Sequence, residues 1–240
     1  MKTTLVMAYY DNPMMLEVHL REWLRYRPET KISLRVIIVD DASPNHPAVN
    51  VLNSFGYTGL NIQCWRVTVD RPWGQDGARN IGMHHAEEGW CLMTDMDHLL
   101  RRREAEDMLS FISNLATEGQ YYMPLRRRLN NLPLHSHPNT FLMYRQDFWK
   151  MGGYDEDFVG YYGSDGNFRK CAKGAGLLEF PISHFTMTLH NRDDIADSNT
   201  KLSRKEGPHW AALNGKLNRK RRGPPYMATN PLRTPYVREL

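Results

Sequence analysis

A single α/β domain with a mixed, mainly parallel central sheet flanked by helices is predicted by three observations. Short apolar runs rich in β-branched and aromatic residues alternate with helix-period segments up to Asp97, the pattern of strands joined by crossover helices. Two of these runs, ending at Asp40-Asp41 and at Asp95-Met96-Asp97, stop abruptly in carboxylates, at the edge where open α/β sheets bind ligands. Beyond Asp97 the alternation is lost, so the sheet is not purely doubly wound.

The elements follow in order. Strands are predicted at residues 5–9, 34–40, 62–67 and 90–94. Between the first two, residues 13–26 place Met15, Leu16, Leu20, Trp23 and Leu24 at helical spacing. Asp11 or Asn12 serves as the cap and Pro13 stands at the helix start, so this is an amphipathic helix packed on the sheet. A shorter crossover helix spans 47–55, and a third over 75–86 follows the turn Arg71-Pro72-Trp73-Gly74. Then come a helix at 103–117 and runs at 121–124 and 140–144 separated by a polar, Pro-bearing loop. A helix at 146–151, a Gly-rich turn, a helix at 164–173 and strands near 176–180 and 185–190 complete the domain. From about Asp193 polar residues, Gly and Pro dominate and ordered packing is not expected. The chain thus divides into a domain over 1–193 and a basic, Pro-containing C-terminal extension over 194–240.

Of the 240 residues, 41% are hydrophobic and 24% charged, which excludes disorder throughout. The formal charge of +4 conceals an asymmetry. Residues 201–240 carry ten Lys/Arg against Glu206 and Glu239, a balance of +8, which leaves −4 on the rest. Clustered like charge marks an interaction surface, and a nucleic-acid partner is one reading of the tail. Cys64, Cys91 and Cys171 are odd in number and lack CxxC spacing, which excludes a disulfide framework and a zinc ribbon. No stretch nears the roughly 18 apolar residues of a membrane span, and no secretory leader is visible. A soluble, cytoplasmic protein is expected.

Four constellations carry chemistry. The apolar strand Val36-Ile-Ile-Val39 ends in Asp40-Asp41, where a carboxylate either recognises a base or ribose or caps the turn. In Asp95-Met96-Asp97, extended backbone sends both carboxylates to one face, where they repel unless a cation lies beside them. Hard oxygen ligands of this kind suit Mn²⁺ or Mg²⁺ carrying a diphosphate. In the segment from Gly152 to Gly166, glycines punctuate aromatic and acidic residues. Asp165 there is either a base or a helix cap, and Tyr161 and Tyr162 either stack on a sugar or cover the core. The run Met187-Thr-Leu-His190 ends in a histidine that becomes a candidate metal ligand only because the D-x-D pair already points to a metal.

Taken in order, Val39-Asp-Asp-Ala-Ser43, Gly77-Ala-Arg-Asn-Ile-Gly82, Asp95-Met-Asp97, Gly152-Gly-Tyr-Asp-Glu-Asp-Phe158, Gly163-Ser-Asp165 and His190 resemble the nucleotide-sugar glycosyltransferases of family 2 and its relatives. The second half looks closest to the galactosyltransferase and polypeptide N-acetylgalactosaminyltransferase branch. The resemblance covers roughly residues 3–193 and implies the GT-A fold. It also implies that Ala8, Tyr9, Asp40, Asp41, Arg79, Asp95 and Met96 bind the donor, and that Asp97 and His190 ligate the metal, with Met187 at the spacing of a further ligand. Asp165 would be the general base, and Tyr161, Tyr162, Gly163 and Ser164 would meet the acceptor. One departure is that the family commonly has Glu-Asp where this chain has Ser164-Asp165, so the sugar contact of that Glu is missing.

The implied activity is metal-dependent, inverting transfer of a sugar from a nucleotide-sugar, a UDP-sugar, to a hydroxyl of an intracellular acceptor: a glycan precursor, a protein or a hydroxylated DNA base. Two other readings compete. A sugar nucleotidyltransferase should show a Gly-rich phosphate loop after the first strand, where this chain has Tyr10-Asp11-Asn12-Pro13. A nucleic-acid-binding module on a degenerate GT-A scaffold would use the basic tail. Arg101-Arg-Arg103 and Arg126-Arg-Arg128 read as solvated charge, the second opening a loop over 125–139 suited to an acceptor lid. Trp73 suits either stacking or burial.

Overall fold

A computed structural model describes residues 2–56, 58–161, 163–198, 215–229 and 231–240. In chain order the elements are β1 (Thr3–Tyr9), α1 (Pro13–Leu24), α2 (Pro28–Ser33), β2 (Leu34–Asp40), α3 (Ala48–Phe55), β3 (Asn61–Val67), α4 (Gln75–His85), β4 (Trp90–Thr94) and β5 (His98–Leu99). They continue with α5 (Arg102–Asn114), β6 (Gln120–Arg128), β7 (Pro133–Leu134), β8 (Phe141–Tyr144), α6 (Arg145–Lys150), a 3-10 turn (Glu156–Phe158), α7 (Asp165–Gly174), β9 (Leu178–Leu189), α8 (Gly215–Arg222) and β10 (Tyr236–Arg238). The sheet runs β10-β3-β2-β1-β4-β8-β6-β9-β5, with β7 hydrogen-bonded to β6. Strands β3, β2, β1 and β4 are parallel, while β8 runs antiparallel to β4 and to β6. The mixed, mainly parallel sheet is the one expected.

Side-chain alternation sorts the core into two layers. Leu5, Met7, Val36, Ile38 and Leu92 meet Leu16, Leu20 and Trp23 of α1, Leu52 of α3 and Phe111 of α5 on one face. Val6, Ile37, Val39, Cys91 and Met93 meet Ile81 of α4, Phe148 of α6 and Phe168 of α7 on the other. Covered on both faces, β1, β2 and β4 are apolar almost throughout, which is why they were legible. Gly82 lets α4 lie close to the sheet, because a Cβ there would stand 2.3 Å from Val6 Cγ1.

Three expectations need correction. The side chains of Asp11 and Asn12 do not cap α1; the Asp197 carboxylate, far along the chain, accepts the N–H groups of Met14 (2.7 Å) and Met15 (2.9 Å). The strands expected near 176–180 and 185–190 form one strand, β9, and the break lies in its pairing with β6, where the register jumps from Pro124↔Ile182 to Leu125↔Thr186. The expectation of poor order beyond Asp193 fails for residues 215–229 and 231–240. There β10 pairs antiparallel with the edge strand β3. The buried Glu156 carboxylate accepts the N–H groups of Leu232 (2.8 Å), Arg233 (2.9 Å) and Thr234 (2.9 Å). An open sheet edge and a buried charge both need polar partners, and this segment supplies them.

Candidate active site

A cavity of about 460 Å³ opens at the carboxyl ends of β1 and β4. Ala8 and Tyr9 line it from β1, Asp41 from the end of β2, and Asp95, Met96 and Asp97 from the end of β4. Trp73 in the turn before α4, His137 in the loop before β8 and Gly163 and Asp165 at the start of α7 close the other side. Sheet edge, crossover turn and α7 thus bring residues separated by more than a hundred positions to one space.

The two carboxylates after β2 take different roles. Asp40 accepts the N–H groups of Ser43 (2.7 Å) and Ala48 (2.8 Å), so it fixes the turn and the start of α3 and does not line the cavity. Asp41 does line it, buried, with Oδ1 lacking any hydrogen-bond partner. Burial, then the neighbouring charges of Asp70 and Asp40, raise its pKa well above the usual carboxylate range. A Cβ on Gly74 would fall 2.4 Å from Asp41 Oδ1, so the bare glycine is what admits this carboxylate beside α4.

Arg79, expected to contact the nucleotide, is fully buried behind the D-x-D pair and absent from the cavity lining. Its Nη2 donates to Asp95 Oδ1, and its guanidinium lies 5.3 Å from the Tyr154 ring centre. Burial alone would raise Asp95, but Arg79, then His137, hold it well below the usual range. For Asp97, burial, then the charge of Asp95, outweigh His137 and Arg126 and push it up. Two carboxylates side by side repel when both are ionised, a repulsion that a cation beside them relieves.

The donor set fits a divalent ion such as Mn²⁺ or Mg²⁺, being carboxylate oxygen with imidazole nitrogen at hand. Asp95, His98 and His137 bring ligand atoms within 4.8 Å of one another. His98 is the least free of them. Its Nδ1 lies 2.6 Å from Thr140 Oγ1 and its Nε2 3.1 Å from Arg126 Nη1, which fixes the Nδ1–H tautomer. His190 donates its backbone N–H to the Asp97 carbonyl (2.8 Å). It is buried, with both ring nitrogens unpartnered, an anomaly for an imidazole unless a ligand satisfies it. Met187 is fully buried in the apolar layer beneath α5 and outside the cavity lining, so its thioether is a core group.

On the acceptor side, Gly163 and Asp165 line the cavity. Ser164 does not; buried, it donates Oγ to Asp76 Oδ1 (2.7 Å). Tyr161 packs on Phe158 and Leu217 and is also absent from the lining. Tyr162 lies outside the described residues. Sequence reasoning missed His137, Asn139 and Asp76. His137 and Asn139 sit in a polar loop with no spacing signal to the D-x-D pair, although the imidazole Nδ1 lies 3.3 Å from Asp95 Oδ2.

A parallel sheet with donor-type carboxylates at its carboxyl edge, continued by antiparallel strands and faced by an acidic helix start, defines the GT-A class of glycosyltransferases. Residues 4–168 match the family model of glycosyl transferase family 2, so the chain belongs to that family. No curated protein sequence matches it. Among solved structures, it resembles the mannosyltransferase PcManGT from Pyrobaculum calidifontis in complex with GDP-Man and Mn²⁺: TM-score 0.60, 17% identity, 78% of this chain and 56% of that one. It also resembles S. aureus TarS 1-349 in complex with UDP (TM-score 0.59, 16% identity, 85% and 68%). GalNAc-T7 with UDP, GalNAc and Mn²⁺ is a third such structure (0.60, 12%, 78% and 43%). The chain spans 56% of the mannosyltransferase and 43% of GalNAc-T7, and at these identities the likeness shows the fold. No helix among the described residues is long and apolar enough to cross a membrane.

Proposed function

We propose that the protein is a metal-dependent, inverting glycosyltransferase that moves a sugar from a nucleotide-sugar, a UDP-sugar, to an acceptor hydroxyl. One observation carries the reading: the Asp95/Asp97 pair and the half-buried Asp165 line the same cavity. Asp41 and the β1 edge at Ala8 and Tyr9 form the nucleoside end. Asp95 and Asp97, with His137 Nδ1 3.3 Å from Asp95 Oδ2, would hold a divalent ion; His190, expected as a ligand, bonds Asp97 through its backbone N–H and does not line the cavity. When bound, such an ion neutralises negative charge on the departing diphosphate.

Asp165 accepts the proton of the acceptor hydroxyl as that oxygen attacks the anomeric carbon. The glycosidic bond to the nucleoside diphosphate breaks on the opposite face, so the configuration inverts. A base positioned in this way accelerates transfer by about 10²–10⁴-fold. Arg79 keeps Asp95 ionised, and Trp73, held at φ +54° beside the cavity, screens the reacting centre from water.

The nucleic-acid acceptor expected from the basic tail loses part of its support. Lys216, Lys220 and Arg233 pair with Asp155 and Asp157 of the body instead of projecting as free charge. Incubation with UDP-sugars and Mn²⁺, followed by mass spectrometry of donor and acceptor pools, tests the reading. UDP-sugar is expected to be consumed, and Asp165→Asn to retain UDP and Mn²⁺ binding while transfer falls by about 10²–10⁴-fold. Unimpaired transfer removes Asp165 from the role of base.

A further inference from the structure

We propose that His19 of α1 is a positioning residue for the D-x-D turn, its side chain anchoring the peptide from which Asp97 projects. This deepens the transferase reading and rests on it for the role of the Asp95/Asp97 pair.

His19 belongs to the buried stripe of α1, with Leu16, Leu20 and Trp23, and is 1% exposed. Its neighbours there form an apolar layer, where a leucine or phenylalanine would need no hydrogen bond. Its Nε2 lies 2.8 Å from the Met96 carbonyl oxygen, 77 positions along the chain. A carbonyl only accepts, so Nε2 carries the proton, and Nδ1 is left as a buried acceptor without a partner. Burial lowers the ring's pKa to about 4, which leaves this proton as the only one on the ring at neutral pH. An imidazole kept in an apolar stripe with one nitrogen unsatisfied breaks a local rule, and the bond made by its other nitrogen supplies the reason.

The Met96 carbonyl belongs to the peptide that joins Met96 to Asp97. That peptide is planar, so anchoring its oxygen restricts the direction in which the Asp97 side chain leaves the backbone. The flanking carbonyls accept from backbone groups: that of Asp95 from the His98 N–H (3.1 Å) and that of Asp97 from the His190 N–H (2.8 Å). For the central carbonyl the donor comes from α1. His19 is one of three contacts through which α1 and its C-terminal extension grip residues 96–102. Glu22 Oε1 accepts the Arg102 N–H (2.8 Å), and the Tyr26 hydroxyl, just beyond the helix, donates to the Leu100 carbonyl. Positions 19, 22 and 26 recur at helical spacing, and of the three only His19 reaches the D-x-D turn itself.

The test has two arms on the full-length chain. In ring-nitrogen NMR spectra of histidine-labelled protein without metal, the signal lost in His19→Gln should be that of an Nε2–H tautomer. An Nδ1–H or doubly protonated ring overturns the proposal. The second arm is calorimetric titration with Mn²⁺ in the presence of UDP. His19→Phe fills the ring volume without a donor and should weaken Mn²⁺ binding about tenfold or more, the usual effect of losing a group that orients a metal ligand. His19→Gln places an amide nitrogen within reach of the same carbonyl and should restore most of that affinity. Tyr26→Phe removes the neighbouring bond to Leu100 and should bind Mn²⁺ as the parent does. Parent affinity in His19→Phe, equal weakening in His19→Phe and His19→Gln, or the same loss in Tyr26→Phe overturns the proposal. If His19→Phe shows no cooperative melt, His19→Asn takes its place with the same weakening expected, because its amide stops at the position of Nδ1. Failure of the parent to bind UDP and Mn²⁺ beside an Nε2–H signal would sink the transferase reading and leave the anchor standing.

Discussion

Ser164 and Asp76, 88 positions apart, meet through a 2.7 Å hydrogen bond from the serine hydroxyl to a fully buried carboxylate at the start of α4. Burial pushes Asp76 up to about 7, although Arg79 and the Ser164 hydroxyl act to lower it. A carboxyl whose folded pKa exceeds its unfolded value binds more protons in the folded state, so stability falls as pH rises from about 4 to about 7. Asp76→Asn keeps an acceptor for Ser164 without the charge. Its melting temperature should match the parent near pH 4 and exceed it above pH 7, by up to a few kcal/mol of stability on an order-of-magnitude basis. Identical melting curves across this range would show that Asp76 is not held protonated.

Ser164→Ala tests the same contact from the other side. Ser164 immediately precedes Asp165, so its bond to Asp76 orients the carboxylate across the cavity. Loss of the hydroxyl should cost about 1 kcal/mol of stability. It should lower kcat about tenfold or more, since small displacements of a reacting group are costly, with donor KM unchanged. A change confined to KM would mean that Ser164 acts on donor binding instead.

This bond also marks where sequence reading stops. Strands β1, β2 and β4 were legible because both faces are buried, and the carboxylates ending β2 and β4 stood out against those apolar runs. Asp76 gave no signal, since an acidic residue in the first turn of a helix is ordinarily read as a dipole partner. Arg79 and Asp40 belong to recognisable motifs, yet motif membership does not tell a group that touches ligand from one that supports it. Strands β5, β7 and β10, two or three residues long, carry no periodicity to detect. Met187 followed a family spacing, while its alternation along β9 turned it into the core.

The Arg79–Asp95 pair leads to a third prediction. Arg79 is fully buried, and its Nε and Nη1 find no hydrogen-bond partner, so Asp95 is its main compensation. Breaking a buried pair by removing one member costs about 3–5 kcal/mol, and Arg79→Met should destabilise the chain by that order. Mn²⁺ should then raise the melting temperature of the variant more than that of the parent, because the ion replaces the missing positive charge beside Asp95. Equal increments would place Asp95 outside the metal's reach.

One carboxylate clamps the backbone of residues 232–234. Glu156 accepts from Asn80 Nδ2 (2.9 Å), from Thr234 Oγ1 (3.0 Å) and from three successive backbone N–H groups at Leu232, Arg233 and Thr234. Glu156→Ala leaves the buried donors of Asn80 and Thr234 unpaired at about 1–3 kcal/mol each before water relieves them. It should therefore open the β10–β3 ladder well before the rest of the sheet. Hydrogen exchange at Thr68 and Glu239, whose N–H groups bond the carbonyls of Pro235 and Cys64, is expected to accelerate, with β1 and β2 still protected. Gly77→Ala provides an independent route, because the added Cβ would lie 2.1 Å from Thr234 Oγ1 and push the segment away with Glu156 intact. Since Glu156 also fixes the turn leading to Gly163 and Asp165, both variants should lose transfer activity in proportion to the exposed fraction of the ladder. Faster exchange at β10 with full activity would separate the segment from the site, and unchanged exchange in both variants would refute the clamp itself.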